Sequence, residues 1–84
     1  MNPIEFASRC LIICLRWSGS VTSWGRTEKR NLSVKGVPGS NHLLFLGMDV
    51  ILDDQKKDVY FEKDCAKLGL QALYEVDHYH LQPR

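Results

Sequence analysis

His42, Asp49, Asp77, His78 and His80 are the side chains whose chemistry and spacing could do the most in this 84-residue chain. Imidazole and carboxylate groups together bind divalent metals and pass protons. Asp49 lies within Gly47-Met48-Asp49-Val50-Ile51-Leu52, an otherwise apolar run that reads as a buried strand. An acid in such a place must be paired or metal-bound, because a lone buried carboxylate is costly. Its candidate cationic partners are a metal ion and Arg26. His42 precedes Asp49 by seven residues, and Asp77, His78 and His80 cluster near the C-terminus, so all three histidines of the chain have an acid within reach. Two imidazoles and one carboxylate would give zinc three protein ligands and leave one tetrahedral position open to a water. A plainer arrangement needs no metal: His42 on a loop surface, Asp49 paired with Arg26, and His78 and His80 facing solvent from a strand.

These residues need elements to position them. Asn2 can cap a helix with Pro3 at its first position, and Ile4, Phe6, Cys10, Ile13, Cys14 and Trp17 recur at roughly helical spacing, so the first helix is expected over Pro3–Trp17. After Ser18-Gly19-Ser20, residues 21–24 suit a short strand, and Arg26 follows it. Thr27 can cap a short helical turn over 28–31. Gly36, Pro38 and Gly39 make 34–41 a loop that delivers His42. Beyond the strand at 47–52, Asp53 or Asp54 is expected to cap a second helix that carries Val59, Tyr60, Cys65 and Leu68 inward and ends at Gly69. Residues 72–76 and 79–82 read as two last extended pieces around a polar kink at Asp77-His78. The expected fold class is α+β, a small, mainly antiparallel sheet backed by helices, in a single domain spanning 1–84.

Composition narrows the function classes. Eleven basic and ten acidic residues leave a charge of +1 with no basic run to neutralise phosphates, which argues against nucleic acid as a partner. The longest apolar run, 10–15, is flanked by Arg9 and Arg16 and is too short to span a bilayer, so no membrane insertion is expected. The run is short for a signal peptide and no small-residue cleavage site follows, so the chain is expected to be made in, and stay in, the cytoplasm. Three cysteines, Cys10, Cys14 and Cys65, read as reduced core residues, and the absence of Cys-x-x-Cys argues against a redox function. Trp17 and Trp24 read as packing residues, Ser40 as a loop residue rather than a nucleophile, and Lys56, Lys57 and Lys63 as a solvated helix face.

The stretch Thr22-Ser23-Trp24-Gly25-Arg26-Thr27, then Gly36-Val37-Pro38-Gly39-Ser40-Asn41-His42, Gly47-Met48-Asp49-Val50 and Asp77-His78-Tyr79-His80 resembles the zinc D-Ala-D-Ala carboxypeptidase and L-alanyl-D-glutamate endopeptidase family. The resemblance runs over 21–84, with 1–17 as an added N-terminal helix. It implies a hedgehog/DD-peptidase-like fold, zinc on His42, Asp49 and His80, Asp77 as general base, and Arg26 holding a substrate carboxylate or carbonyl. One place departs from the family pattern: its glycine three residues after the first histidine is Phe45, while its small residue two before the aspartate is matched by Gly47. Glu75-x-x-His78 has the same spacing as Asp77-x-x-His80, and the family's closing pattern favours the second, with Glu75 left as a solvated strand residue. In a regular strand His78 and His80 share a face and Asp77 points away, so Asp77 can join His80 only where the backbone turns. The implied function is hydrolysis of an amide bond in peptidoglycan peptides by a monomer, as in a phage lysis enzyme that reaches the wall through a separate membrane pore. A zinc-binding module of the same fold without catalysis is the alternative.

Overall fold

The computed structural model describes residues 1–25, 27, 29 and 44–84. The chain begins with α1, Pro3–Trp17, whose entry is fixed reciprocally: the Asn2 side chain accepts from the Glu5 backbone N–H at 2.8 Å and donates to the Glu5 carboxylate at 2.8 Å. Ser18 ends the helix in the left-handed region (φ 52°), with its N–H returning to the Cys14 carbonyl. Strand β1, Gly19–Ser23, starts at once, two residues earlier than the side-chain pattern suggests. Gly19 permits this sharp entry, since a Cβ there would sit 3.0 Å from Val50 Cγ1 and 3.4 Å from the Cys14 Cα.

Strand β2, Met48–Leu52, pairs antiparallel with β1 on one side and with β4, His78–Pro83, on the other. Strand β3, Leu70–Glu75, pairs antiparallel with β4 at the far edge, giving the order β1-β2-β4-β3. The protein is thus an α+β domain: an antiparallel sheet packed against α1 and α2, the latter Val59–Lys67. Side chains alternate across the pleat. Met48, Val50, Leu52, Tyr79 and Leu81 turn inward and join Phe6, Cys10, Ile13, Cys14, Phe61, Cys65 and Leu70 in one apolar cluster. Burial pushes the Cys10 and Cys65 thiols up to about 12, so they behave as core residues rather than nucleophiles.

Helix α2 starts later than expected. Asp53 and Asp54 lie in the turn after β2, and Asp58 is the cap, its carboxylate accepting from the N–H groups of Tyr60 (2.9 Å) and Phe61 (3.2 Å). A helix begun at Asp53 or Asp54 would spend its first turn on Gln55, Lys56 and Lys57, which have nothing to bury, whereas Phe61 and Cys65 bring a four-residue apolar step straight into the core. Lys56 and Lys57 therefore precede the helix rather than line it. The Tyr79 hydroxyl pins the same end, accepting from the Asp58 N–H at 2.7 Å and donating to the Glu62 carboxylate at 2.7 Å. At the other end Gly69 takes φ 74°, the conformation its place at the helix end requires, and Arg9 of α1 donates to the Leu68 carbonyl at 2.9 Å. The turn and loop read at 28–31 and 34–41 lie outside the described residues.

Candidate metal centre

The alternation that buries Met48, Val50, Tyr79 and Leu81 sends their neighbours to the opposite face of the sheet. Asp49 on β2 and His80 on β4 are direct cross-strand partners. Beside them on that face stand His78, Gln82, Gln71 and Glu75, because Glu75 pairs with His78 and Gln71 with Gln82 across β3 and β4. The anomaly visible in the sequence, an acid inside an apolar strand, is thereby resolved: Asp49 faces away from the core, half-buried, against a histidine.

The contacts form a chain across three strands. His80 Nδ1 is 3.1 Å from Asp49 Oδ1, His80 Nε2 is 3.1 Å from Gln82 Oε1, and Gln82 in turn donates to Gln71 Oε1 at 3.0 Å. With acceptors on both ring nitrogens the imidazolium form is favoured, and the hydrogen bond to Asp49 holds the His80 pKa above its usual range against the opposing effect of burial. Gln82 is the kind of partner that fixes a metal-ligating ring: it accepts the proton of one nitrogen and leaves the other directed at the carboxylate. Thr22 on β1 donates to the Asp49 backbone carbonyl at 3.3 Å and ties the edge strand to the same place.

Asp49, Glu75 and His80 each offer a ligand atom within 4.8 Å of the others, so a possible metal-binding group exists among the described residues. Donors held by a tetrahedral zinc at ordinary bond lengths stand about 3.4 Å apart. The Asp49–His80 separation is close to that spacing, and Glu75 is an exposed side chain at the end of β3 with a carboxylate oxygen within 4.8 Å of both. A divalent cation held by this group would require His80 Nδ1 to be free of its proton, since an imidazole ligand must be deprotonated at the coordinating nitrogen.

The remaining expected residues fall differently. His78 is 3.9 Å from Asp49 and 3.3 Å from Glu75, but its Nδ1 lies 2.9 Å from Asp77, the hydrogen bond that chiefly raises its pKa. Asp77 sits in the β3–β4 turn, where the chain does reverse, yet its carboxylate is directed at His78 rather than into the group around His80. His42 and Arg26 lie outside the described residues, as does Ser40. Glu75, read from sequence as a solvated strand residue, stands with Asp49 and His80. Its signal was the Glu75-x-x-His78 spacing, and the signal for Gln82 was its position two residues from His80 on the same strand face.

Phe45 explains part of the approach to Asp49. It adopts φ 58°, the left-handed region that glycine takes without strain, at the position where the resembled family has its glycine. Its ring lies on Gly25, where a Cβ would collide with it, and packs edge-on against Trp24 at 5.6 Å, while Trp24 Nε1 donates to the Phe45 carbonyl at 3.2 Å. Trp24 is a packing residue, as is Trp17, which meets Phe61 edge-on and donates to Asp64 at 2.9 Å. A separate concavity of about 400 Å³, lined by residues including Arg16, Leu52, Asp54 and Asp58, contains neither Asp49 nor His80. Compared with protein-family models, with curated proteins and with solved structures, the chain matches none.

Proposed function

We propose that the protein is a zinc-dependent peptidase acting on the peptides of bacterial peptidoglycan, with Asp49 and His80 as metal ligands. The observation that carries this reading is the Asp49–His80 pair on adjacent strands, 3.1 Å apart on the face away from the core, with Gln82 steadying the ring. Its donor chemistry, oxygen and imidazole nitrogen, suits zinc. The resemblance supplies the third ligand, His42, the substrate-holding Arg26, the hedgehog/DD-peptidase-like architecture and the wall-peptide substrate. Phe45 in a left-handed conformation where the family has glycine supports the same backbone path into Asp49.

Zinc bound here would polarise the scissile carbonyl and bring the ionisation of a bound water toward neutrality. A carboxylate of the β3–β4 hairpin takes the proton from the attacking water and returns it to the leaving amine. Asp77 holds that role by the resemblance, and Glu75 competes for it by proximity to Asp49 and His80. Arg26 presents a planar guanidinium to a substrate carboxylate or carbonyl. Reaching the wall from the cytoplasm would require a separate membrane pore, as for a phage lysis enzyme.

The test is release of new amino groups from purified peptidoglycan, lost with a chelator and regained with zinc. Asp77→Asn and Glu75→Gln, each with zinc content measured, assign the proton acceptor: the one that abolishes turnover while retaining metal holds the role. If wild-type protein opens no bond in any wall preparation, the enzymatic reading fails. What then survives is a zinc-binding module of the same fold, a reading favoured by the Phe45 ring, which occupies space over Gly25 that a glycine would leave open.

A further inference from the structure

Helix α1 has two apolar faces, and the core uses only one of them. Phe6, Cys10, Ile13 and Cys14 are buried against the sheet. On the opposite side Ile4, Ser8, Leu11 and Leu15 recur at steps of four, three and four residues, and all are exposed, Leu15 at 86% and Ile4 at 73%. That alternation is the seam of a two-helix coiled coil, and a helix apolar on both sides is ordinarily covered on both.

We infer that this seam is covered by the same helix of a second copy of the chain, packed antiparallel about a two-fold axis. The seam is self-complementary in that direction: a copy centred between Ser8 and Leu11 sets Ile4 against Leu15 of the second copy and seats Leu11 over the small Ser8, large against small along the contact. The charges choose the direction. Glu5, in the first turn, and Arg16, in the last, lie on the same flank of the seam and remain half-exposed, at 51% and 54%, beyond their contacts with Arg9 and Asp64. Antiparallel packing puts this flank of both copies on one side of the seam and brings Glu5 of each close to Arg16 of the other, whereas parallel packing puts the two flanks on opposite sides and leaves both charges without a cross-helix partner. From sequence alone a monomer is expected, because an exposed seam cannot be told from a buried one until the helix's inward face is known.

The contact spans one helix of 15 residues, so the dimer is weak and concentration-dependent. Sedimentation equilibrium of the full chain from about 5 to 500 µM should show a growing dimer fraction. Leu15→Lys, at an exposed position, should leave the circular dichroism and thermal unfolding unchanged and shift the protein to monomer throughout. Glu5→Arg and Arg16→Glu should each weaken self-association at least tenfold, and an equimolar mixture of the two should restore it as a heterodimer, because both cross-helix pairs again become attractive. Should Glu5→Arg, which also removes the Glu5 contacts to Asn2 and Arg9, or Arg16→Glu disturb the helix, Leu15→Lys still decides by its shift to monomer. A wild-type monomer over the whole range, an unchanged dimer in Leu15→Lys or Glu5→Arg, or no recovery in the mixture would overturn the inference. So would a monomer that co-sediments with phosphatidylglycerol vesicles through Leu15, which would make a lipid surface the occupant.

Discussion

His80 is held between two acceptors, Asp49 at 3.1 Å and Gln82 at 3.1 Å, and the two contacts do different things. In the proposed centre Asp49 and His80 would both be donors, so replacing either would remove one outright. Gln82 only orients the ring, so Gln82→Leu should leave the fold intact and lower zinc affinity about tenfold, the usual scale for a partner one step from the metal. Isothermal titration with zinc reads that change, and an unchanged affinity would mean that Gln82 does not hold the ring. Asp49 was legible in sequence because an acid inside an apolar strand has few physical solutions. Glu75 was not, since two equal spacings, Glu75-x-x-His78 and Asp77-x-x-His80, compete, and its place beside Asp49 and His80 depends on the pairing of β3 with β4.

At the scale of elements, the β3–β4 hairpin carries both of these acids, Glu75 at the end of β3 and Asp77 in the turn. The Asp77 N–H bonds the Glu75 carbonyl at 2.6 Å around Val76, which has φ 58° and is 95% exposed. This is a tight three-residue turn in its rare positive-φ form, and a β-branched residue is poorly suited to it. Val76→Gly should therefore raise stability by about 1 kcal/mol, read from the urea midpoint, because it relieves the backbone while removing a side chain that lies in solvent. A fall in midpoint would show that Val76 is not strained. The sequence pattern located α1, β2 and the end of α2 because capping residues and apolar periodicity agree there. It misplaced the start of α2 because several aspartates offer the same capping chemistry, and only the Tyr79 hydroxyl and the Phe61 side chain select Asp58.

The same junction sets a pH dependence. Glu62 accepts from Lys57 at 2.8 Å and Tyr79 at 2.7 Å, and these contacts, Lys57 first, hold its pKa below the ordinary 4.5. A depressed carboxylate stabilises the fold at pH values above its unfolded pKa, and that contribution disappears as pH falls through the folded value. Wild type should thus exceed Glu62→Gln in urea stability at pH 7, and the gap should close below pH 4.5. A gap that persists in acid would assign the effect to packing.

For the molecule as a whole, 84 residues support only a small core, drawn from the inward faces of α1, α2 and the sheet. A ligand bound to the native state alone therefore has a large effect on unfolding. Zinc at a hundredfold excess over its Kd should add about 2.7 kcal/mol, a rise of roughly 10 to 20 °C in Tm. Calorimetry with and without zinc reads it, and an unmoved Tm would mean that no native-state site is filled. The overall class was legible because helix and strand patterns alternate cleanly along the chain. The pairing order β1-β2-β4-β3 was not, since the strand patterns carry no record of which neighbours meet.

The most direct measurement is the metal content of protein purified without chelator, by plasma mass spectrometry, for wild type, Asp49→Asn and His80→Gln. About one zinc per chain in wild type, falling to background in both variants while circular dichroism stays unchanged, is the expected result. Metal-free wild type that takes up no zinc on titration, or folded variants that keep their zinc, would contradict a metal centre built on Asp49 and His80.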